Sequence, residues 1–322
     1  MMLMSIRVLA AGIAVVALLA GCGSGSSSGS GSSGSASAGG GPAPSQALKV
    51  VASFYPLQFA AQRVAGDLAK VDSLTKPGAE PHDLVLTPKD VARVGSADLV
   101  VYLAGFQPAV DDALKAGPPK AAFDTAGPAT LDLTYTPIEG GAQATDEAGS
   151  TDPHFWLDPT RLAAVGDALA AELGKIRPAD VATFDANAGA LRTDLEGLDA
   201  EFAAGLSSCR NQDLVTSHNA FGYLAQRYGL TQKGITGLTP DQEPDPKALA
   251  GVTSFVRANQ VRTIYYETLV SPDIARVVAD ETGARTAVLD PIEGLNDQSQ
   301  GKDYLEVMRA NLANLKAGQP CP

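Results

Sequence analysis

The sequence predicts an α/β protein: two α/β lobes with central parallel sheets, bridged by one long α-helix. Three observations carry this reading. Short β-rich apolar runs alternate with amphipathic stretches from Leu48 onward, the pattern of parallel βα units. Residues 179–206 hold one apolar stripe (Phe184, Leu191, Leu195, Leu198, Phe202 and Leu206) on a helix of roughly 28 residues, about 42 Å long. Beyond it the βα alternation starts again. The 322 residues suffice for two domains of ordinary size.

Each element has its local reason. Residues 48–54 are a β-rich strand ending at Tyr55-Pro56, and residues 57–68 follow with helical spacing of Leu57, Ala60, Ala61, Val64 and Leu68. Residues 71–74 are a short strand. Thr87 caps a helix that opens at Pro88, where a missing N–H costs no bond. The continuous apolar run 99–103 reads as a buried strand. Residues 159–173 form a helix, and after Arg177-Pro178 the long helix begins. In the second lobe, 214–217, 234–238, 261–266 and 285–289 read as strands. Residues 220–228, 246–258 (with Asp245 as N-cap), 272–281 and 304–315 read as helices.

The first 21 residues stand apart. Arg7 precedes an apolar run from Val8 to Ala20, a charged start and apolar core too short to span a bilayer comfortably. The run ends in Leu19-Ala20-Gly21-Cys22, which resembles a bacterial lipobox and implies cleavage before Cys22 and lipid on Cys22. An ordinary signal peptide or an uncleaved anchor is the alternative. From Cys22 to residue 47 the chain is nearly all Gly, Ser, Ala and Pro, which reads as a flexible tether. The expected organisation is therefore 1–21 signal peptide, 22–47 lipidated cysteine and tether, 48–177 N-terminal lobe, 178–208 connecting helix and 209–322 C-terminal lobe. Such a protein is held at the outer face of the cell membrane.

With 24 Lys and Arg against 36 Asp and Glu, the formal net charge of −12 argues against nucleic acid as a partner. Three cysteines are too few for a disulfide scaffold or a Cys-rich zinc ribbon.

The three histidines, His82, His154 and His218, all fall at strand-to-helix junctions, where ligand sites of open α/β sheets form. Asp290 follows the strand run Thr286-Ala287-Val288-Leu289 with the same placement. Three neutral imidazoles and one carboxylate make a four-coordinate set suited to Zn²⁺. Each histidine alone is equally readable as a satisfied polar residue in a loop, and the wide spacing is no local metal motif.

The residues around these positions resemble a known family. Gly78-Ala79-Glu80-Pro81-His82, with Pro88 and Ala97-Asp98-Leu99-Val100-Val101 after it, is similar to the first metal-ligand segment of the zinc/manganese ABC-transporter solute-binding proteins (the cluster A-I metal-binding lipoproteins). Pro153-His154-Phe155-Trp156-Leu157-Asp158-Pro159, Ser217-His218-Asn219-Ala220-Phe221-Gly222-Tyr223-Leu224, Tyr266-Glu267 and Leu289-Asp290-Pro291 resemble the later segments, in order. The resemblance implies a metal site in the cleft between the lobes, with His82, His154, His218 and Asp290 as ligands. It implies capture of a divalent metal and delivery to an ABC permease and its ATPase by a monomer that is not an enzyme. His218, where manganese-type members often carry Glu, marks the zinc type, and imidazole suits zinc better than Mn²⁺. A Mn²⁺ or Fe²⁺ receptor is the first alternative. An extracytoplasmic metallohydrolase, with Glu267 as base, is the second, although no His-Glu-x-x-His segment is present.

Three features depart from the family pattern. The stretch 139–152 carries no histidine, Asn219 stands where Asp often follows the third ligand, and Phe106-Gln107 replaces an acidic position after Gly105. Glu267, at the end of a strand, is expected to accept a hydrogen bond from a ligand imidazole, to add a fifth oxygen, or to form a structural ion pair. Glu243 matches a family loop and reads as a structural acid, and Trp156 reads as wall packing. With Cys22 lipidated, Cys209 and Cys321 remain; outside the cytoplasm two leftover thiols usually pair, and a soft Cys₂ metal site is the alternative.

Overall fold

The structure, a computed structural model, describes residues 46–137, 147–241, 244 and 246–321. The proposed signal peptide, Cys22, the tether up to residue 45, most of the 139–152 stretch, Glu243 and Asp245 lie outside the described residues.

The first lobe is built on four parallel strands, β1 (Leu48–Ala52), β2 (Ala69–Ser73), β3 (Leu99–Tyr102) and β4 (Ala122–Asp124), in the order β2-β1-β3-β4. The central strands are almost wholly buried, as parallel strands covered on both faces must be. Helix α1 (Tyr55–Ala65) follows β1. Helix α2 (Pro88–Gly95) is closed by a capping box in which the Thr87 hydroxyl and the Asp90 carboxylate each take the other's backbone N–H. Helix α3 (Pro108–Ala116), β4 and the short α4 (Ala126–Ala129) complete the lobe. These last three are short, and β4 is placed by its parallel pairing with β3.

Helix α5 (Pro159–Ile176) opens on Asp158, whose carboxylate accepts the Thr160 N–H at 2.9 Å. The long helix, α6 (Val181–Leu206), carries the expected stripe: Phe184, Leu191, Leu195, Leu198, Phe202 and Leu206 are buried together with Ala188. At 26 residues it spans about 39 Å.

The second lobe repeats the architecture: β5 (Asp213–Thr216), β6 (Thr231–Gly234), β7 (Thr263–Tyr266) and β8 (Arg285–Val288), parallel, in the order β6-β5-β7-β8. Helices α7 (Gly222–Tyr228), α8 (Pro246–Ala258), α9 (Asp273–Thr282) and α10 (Tyr304–Gly318) cover it. One expectation is corrected. The strand expected at 234–238 is instead Thr231–Gly234, paired residue for residue with Asp213–Thr216. It is an edge strand with a polar sequence, held by ladder hydrogen bonds rather than by burial, so hydrophobicity misplaced it.

One continuous apolar core runs from β1 and α1 through α5 and α6 to α7 and α10, so it belongs to both lobes. Two smaller cores lie elsewhere: one around Val51, Val94, Val100 and Val110, the other around Val215, Val252, Ile264 and Val278. The Trp156 indole donates to Pro291 O at 2.7 Å, and the Tyr304 hydroxyl donates to Trp156 O, tying the loops of the two lobes together. Among the described residues no helix is long and apolar enough to cross a membrane.

Cys209 and Cys321 form a disulfide that joins the start of the second lobe to the last described residue, across a sequence separation of 112. Closing so long a loop restricts the unfolded chain strongly. Replacing both cysteines by serine is expected to lower the unfolding free energy by about 2–5 kcal/mol, read by urea denaturation under non-reducing conditions.

Candidate metal centre

In the second lobe the site lies at the carboxyl end of the sheet, at its topological switch point. In the second lobe the switch falls between β5 and β7, with His218 two residues past β5 and Glu267 directly after β7. His82 comes from the long connection between β2 and α2. His154 caps the single 3₁₀ turn Phe155–Leu157 that leads into α5.

The three imidazoles converge on one carboxylate, that of Glu293. Oε1 of Glu293 lies 3.2 Å from His154 Nε2, 3.4 Å from His218 Nε2 and 3.6 Å from His82 Nε2. One ligand atom from each of the four residues lies within 4.8 Å of every other. His154, His218 and Glu293 are buried, at 0%, 1% and 0% exposure. All three Nε2 atoms and both Glu293 oxygens have no hydrogen-bond partner. Buried polar atoms left in this way are costly unless something else satisfies them. A tetrahedral ion with bonds of about 2.0–2.1 Å sets its ligand atoms about 3.3 Å apart, which the observed separations bracket.

Neighbouring groups set the orientation of two of the rings. Asp152 Oδ1 takes the backbone N–H of His154 at 2.9 Å and lies 2.8 Å from its Nδ1. Glu267 Oε1 lies 2.7 Å from His218 Nδ1 and accepts the Ser217 hydroxyl at 2.8 Å. With both Nδ1 atoms held by carboxylates, the lone pair of each ring points from Nε2 into the centre. Glu80 Oε1 accepts the His82 N–H at 3.0 Å. The unexpected pair after Gly105 supports the same segment. The Phe106 ring meets the His82 ring edge-on at 4.6 Å, and Gln107 Nε2 donates to Pro81 O and Thr75 Oγ1. Trp156 packs against His154 with ring centroids 5.3 Å apart.

Asp290, the expected fourth member, is not among the converging atoms, and Glu293 stands in that place. The Asp290 carboxylate is turned into its own loop, where Oδ1 accepts the Ile292 N–H and Oδ2 accepts the hydroxyls of Thr268 and Ser299. Aspartate accepting the N–H two residues on is a turn former, and Asp290-Pro291 is a turn signal that could have warned against the ligand reading. The turn carries Ile292 into the left-handed region at φ 59°, a strained setting for a β-branched residue. Complete burial of Ile292 and the Asp290 hydrogen bond hold it there, and Glu293 follows directly. Asp152 was also not singled out in the sequence, although an aspartate two residues before a histidine is the pattern that lets one carboxylate hold both its N–H and its ring.

The charges are tightly coupled. Burial opposes charge on His154 and His218. Asp152 and Glu293 together outweigh it at His154, and Glu267 and Glu293 together outweigh it at His218, so both are raised, His218 well above the ordinary imidazole value. At Glu293 burial is overcome by the charge of His82 and by the close approach of all three rings, leaving it well below the usual carboxylate range. Glu80, by contrast, is pushed up to about 9 by burial and by the neighbouring Glu293 and Glu267. A cavity of about 530 Å³, lined by His82, Asp83, Phe106, Glu147 and Thr239 among others, borders the centre at His82.

Comparison with known proteins agrees with this geometry. A family model described as the periplasmic component A of a zinc-uptake complex, ZnuA, matches residues 50–318. The chain is 36% identical over 281 residues to the zinc-binding lipoprotein AdcA of Streptococcus pneumoniae, covering 84% of this chain and 55% of AdcA, so it spans about half the length of that relative. It is 33% identical over 283 residues to the high-affinity zinc uptake system protein ZnuA of Bacillus subtilis, covering 84% of this chain and 86% of that one. The solved structure of the Zn(II)-bound ZnuA-like domain of S. pneumoniae AdcA matches with a TM-score of 0.70 at 34% identity, over 85% of this chain and 99% of that domain.

Proposed function

Because the chain belongs to the family of the zinc-uptake complex component A, we propose that it is the extracytoplasmic receptor of a zinc importer. It captures one Zn²⁺ with His82, His154, His218 and Glu293 and hands it to an ABC permease driven by an ATPase. Lipid on Cys22 and the tether to residue 47 keep the receptor, a monomer, at the membrane. Residues 48–177 and 209–322 act as lobes on either side of the helix 178–208. The observation that carries the proposal is the convergence of three buried, unpartnered imidazole nitrogens on one carboxylate oxygen at tetrahedral spacing.

The donor set selects the ion. Three nitrogens and one oxygen suit Zn²⁺, whereas Mn²⁺ prefers more oxygen ligands. Four protein ligands also close the coordination shell. A catalytic zinc keeps one position open for water, so this centre is built to hold an ion rather than to hydrolyse a substrate. Glu267 then serves to orient His218, not as a general base, and Asp152 does the same for His154.

Titration of the purified chain with Zn²⁺ against a competing chelator tests the proposal. One zinc per chain, retained against a large excess of Mn²⁺, is the expected result. Displacement of zinc by equimolar Mn²⁺ would instead assign the site to manganese, and absence of tight zinc binding would refute the reading. Glu267→Gln removes the charged acceptor of the His218 ring, and a loss of about 10–100-fold in zinc affinity is expected in the same titration.

A further inference from the structure

We infer that Glu80, Glu267 and Glu293 form a second, oxygen-only cation site beside the three-histidine centre, with Glu293 as the bridging carboxylate, and that it takes a hard dication of the size of Ca²⁺ or Mn²⁺. Each of the three offers one carboxylate oxygen, and these oxygens lie within 4.8 Å of one another. They come from three separate places: the connection after β2, the end of β7 and the loop after β8. Sequence neighbours therefore do not account for the cluster.

The oxygens are left waiting for a partner. One oxygen of Glu80 accepts the His82 N–H, and one of Glu267 serves Ser217 and His218. The Oε2 atom of Glu80, of Glu267 and of Glu293 is buried without any hydrogen-bond partner. Glu267 and Glu293 are 2% and 0% exposed. The imidazoles approach Glu293 through Oε1, which leaves Oε2 to reach a different ion. Among the described residues no lysine or arginine is ion-paired with any of the three glutamates. Three carboxylates gathered in low dielectric repel one another, and a shared cation removes that repulsion.

Size and donor type narrow the ion. Oxygens on opposite sides of a Ca²⁺, at bonds of about 2.3–2.6 Å, stand up to about 5 Å apart, whereas Mg²⁺ at about 2.1 Å allows only about 4.2 Å. The bound of 4.8 Å on the separations within this cluster admits the larger ion. An all-carboxylate set suits a hard ion and not zinc, which the imidazoles beside it take.

The inference rests on the zinc reading only through the shared Glu293. The full chain is loaded with one zinc and titrated with MnCl₂. Free Mn²⁺ is followed by its electron paramagnetic resonance signal and zinc by elemental analysis. The expected result is one Mn²⁺ taken up per chain with the zinc retained. Glu80→Gln, whose amide oxygen can still accept the His82 N–H, should bind Mn²⁺ at least about tenfold more weakly, measured on chains that carry zinc. No Mn²⁺ uptake by the zinc-loaded wild type overturns the inference. Equal uptake by wild type and Glu80→Gln also overturns it, because the ion then sits on exposed acids. Release of zinc as Mn²⁺ enters overturns it as well, since one site is then being contested. A chain that never holds zinc refutes the proposed function instead, and the comparison of Mn²⁺ uptake between wild type and Glu80→Gln still decides the second site.

Discussion

Glu293→Ala lowers zinc affinity on the order of a thousandfold, while Asp290→Asn lowers it by about tenfold or less. The first change removes the only oxygen among the four converging ligand atoms and leaves three imidazoles around an ion that has lost its single neutralising charge. The second removes no ligand. An asparagine at 290 retains an oxygen for the Ile292 N–H, and its amide can donate to the Thr268 and Ser299 hydroxyls, which are free to rotate. The turn that carries Ile292 at φ 59° therefore survives, and Glu293 stays in place. Chelator competition on both variants separates the two aspartate and glutamate roles. If Asp290→Asn proved the more damaging, Glu293 would not be the ligand and the site would have to be rebuilt around Asp290.

Zinc affinity falls steeply as pH drops, because a ring nitrogen must be bare to bind the ion. Each imidazole that has to shed a proton costs up to about tenfold in affinity per pH unit below its own pKa. For His154 and His218 together the slope approaches about a hundredfold per unit. Both are raised above the ordinary imidazole value, His154 by Asp152 with Glu293 and His218 by Glu267 with Glu293, which together outweigh burial. The sign follows from that direction. Protons on these two rings stabilise the zinc-free fold below the ordinary imidazole pKa of about 6.5, and that contribution is lost as pH rises through their raised values. Protons therefore compete best where zinc is weakest, and the fall in affinity begins above the pH expected of a free imidazole. Titrations at pH 7.5, 6.5 and 5.5 read the slope, and the stabilisation by zinc in thermal unfolding should shrink in parallel. Equal affinity at all three values would show that the histidines are not the ligands.

The alternation of strand and helix, the long apolar stripe of α6 and the capping signal at Thr87 are all local, and each is legible from residue order. The junction placement of His82, His154 and His218 is local in the same sense, and their flanking segments bear the family's signature. The edge strand Thr231–Gly234 was not legible, because its place depends on pairing with β5 and not on its own polar side chains. Glu293 was not legible for a related reason. It lies beyond a turn held by the Asp290–Ile292 hydrogen bond and by the burial of Ile292 in the shared core, and burial of that kind is a tertiary fact.

Residue order by itself determined the class of fold, the three imidazoles and the chemistry they favour, since periodicity, end signals and donor type are properties of short stretches. Only the tertiary structure decided which carboxylate meets those imidazoles, which acids steer their rings and which oxygens are left buried without partners. Such facts are distances between loops from two lobes, and they come into being only when one shared core holds both lobes together.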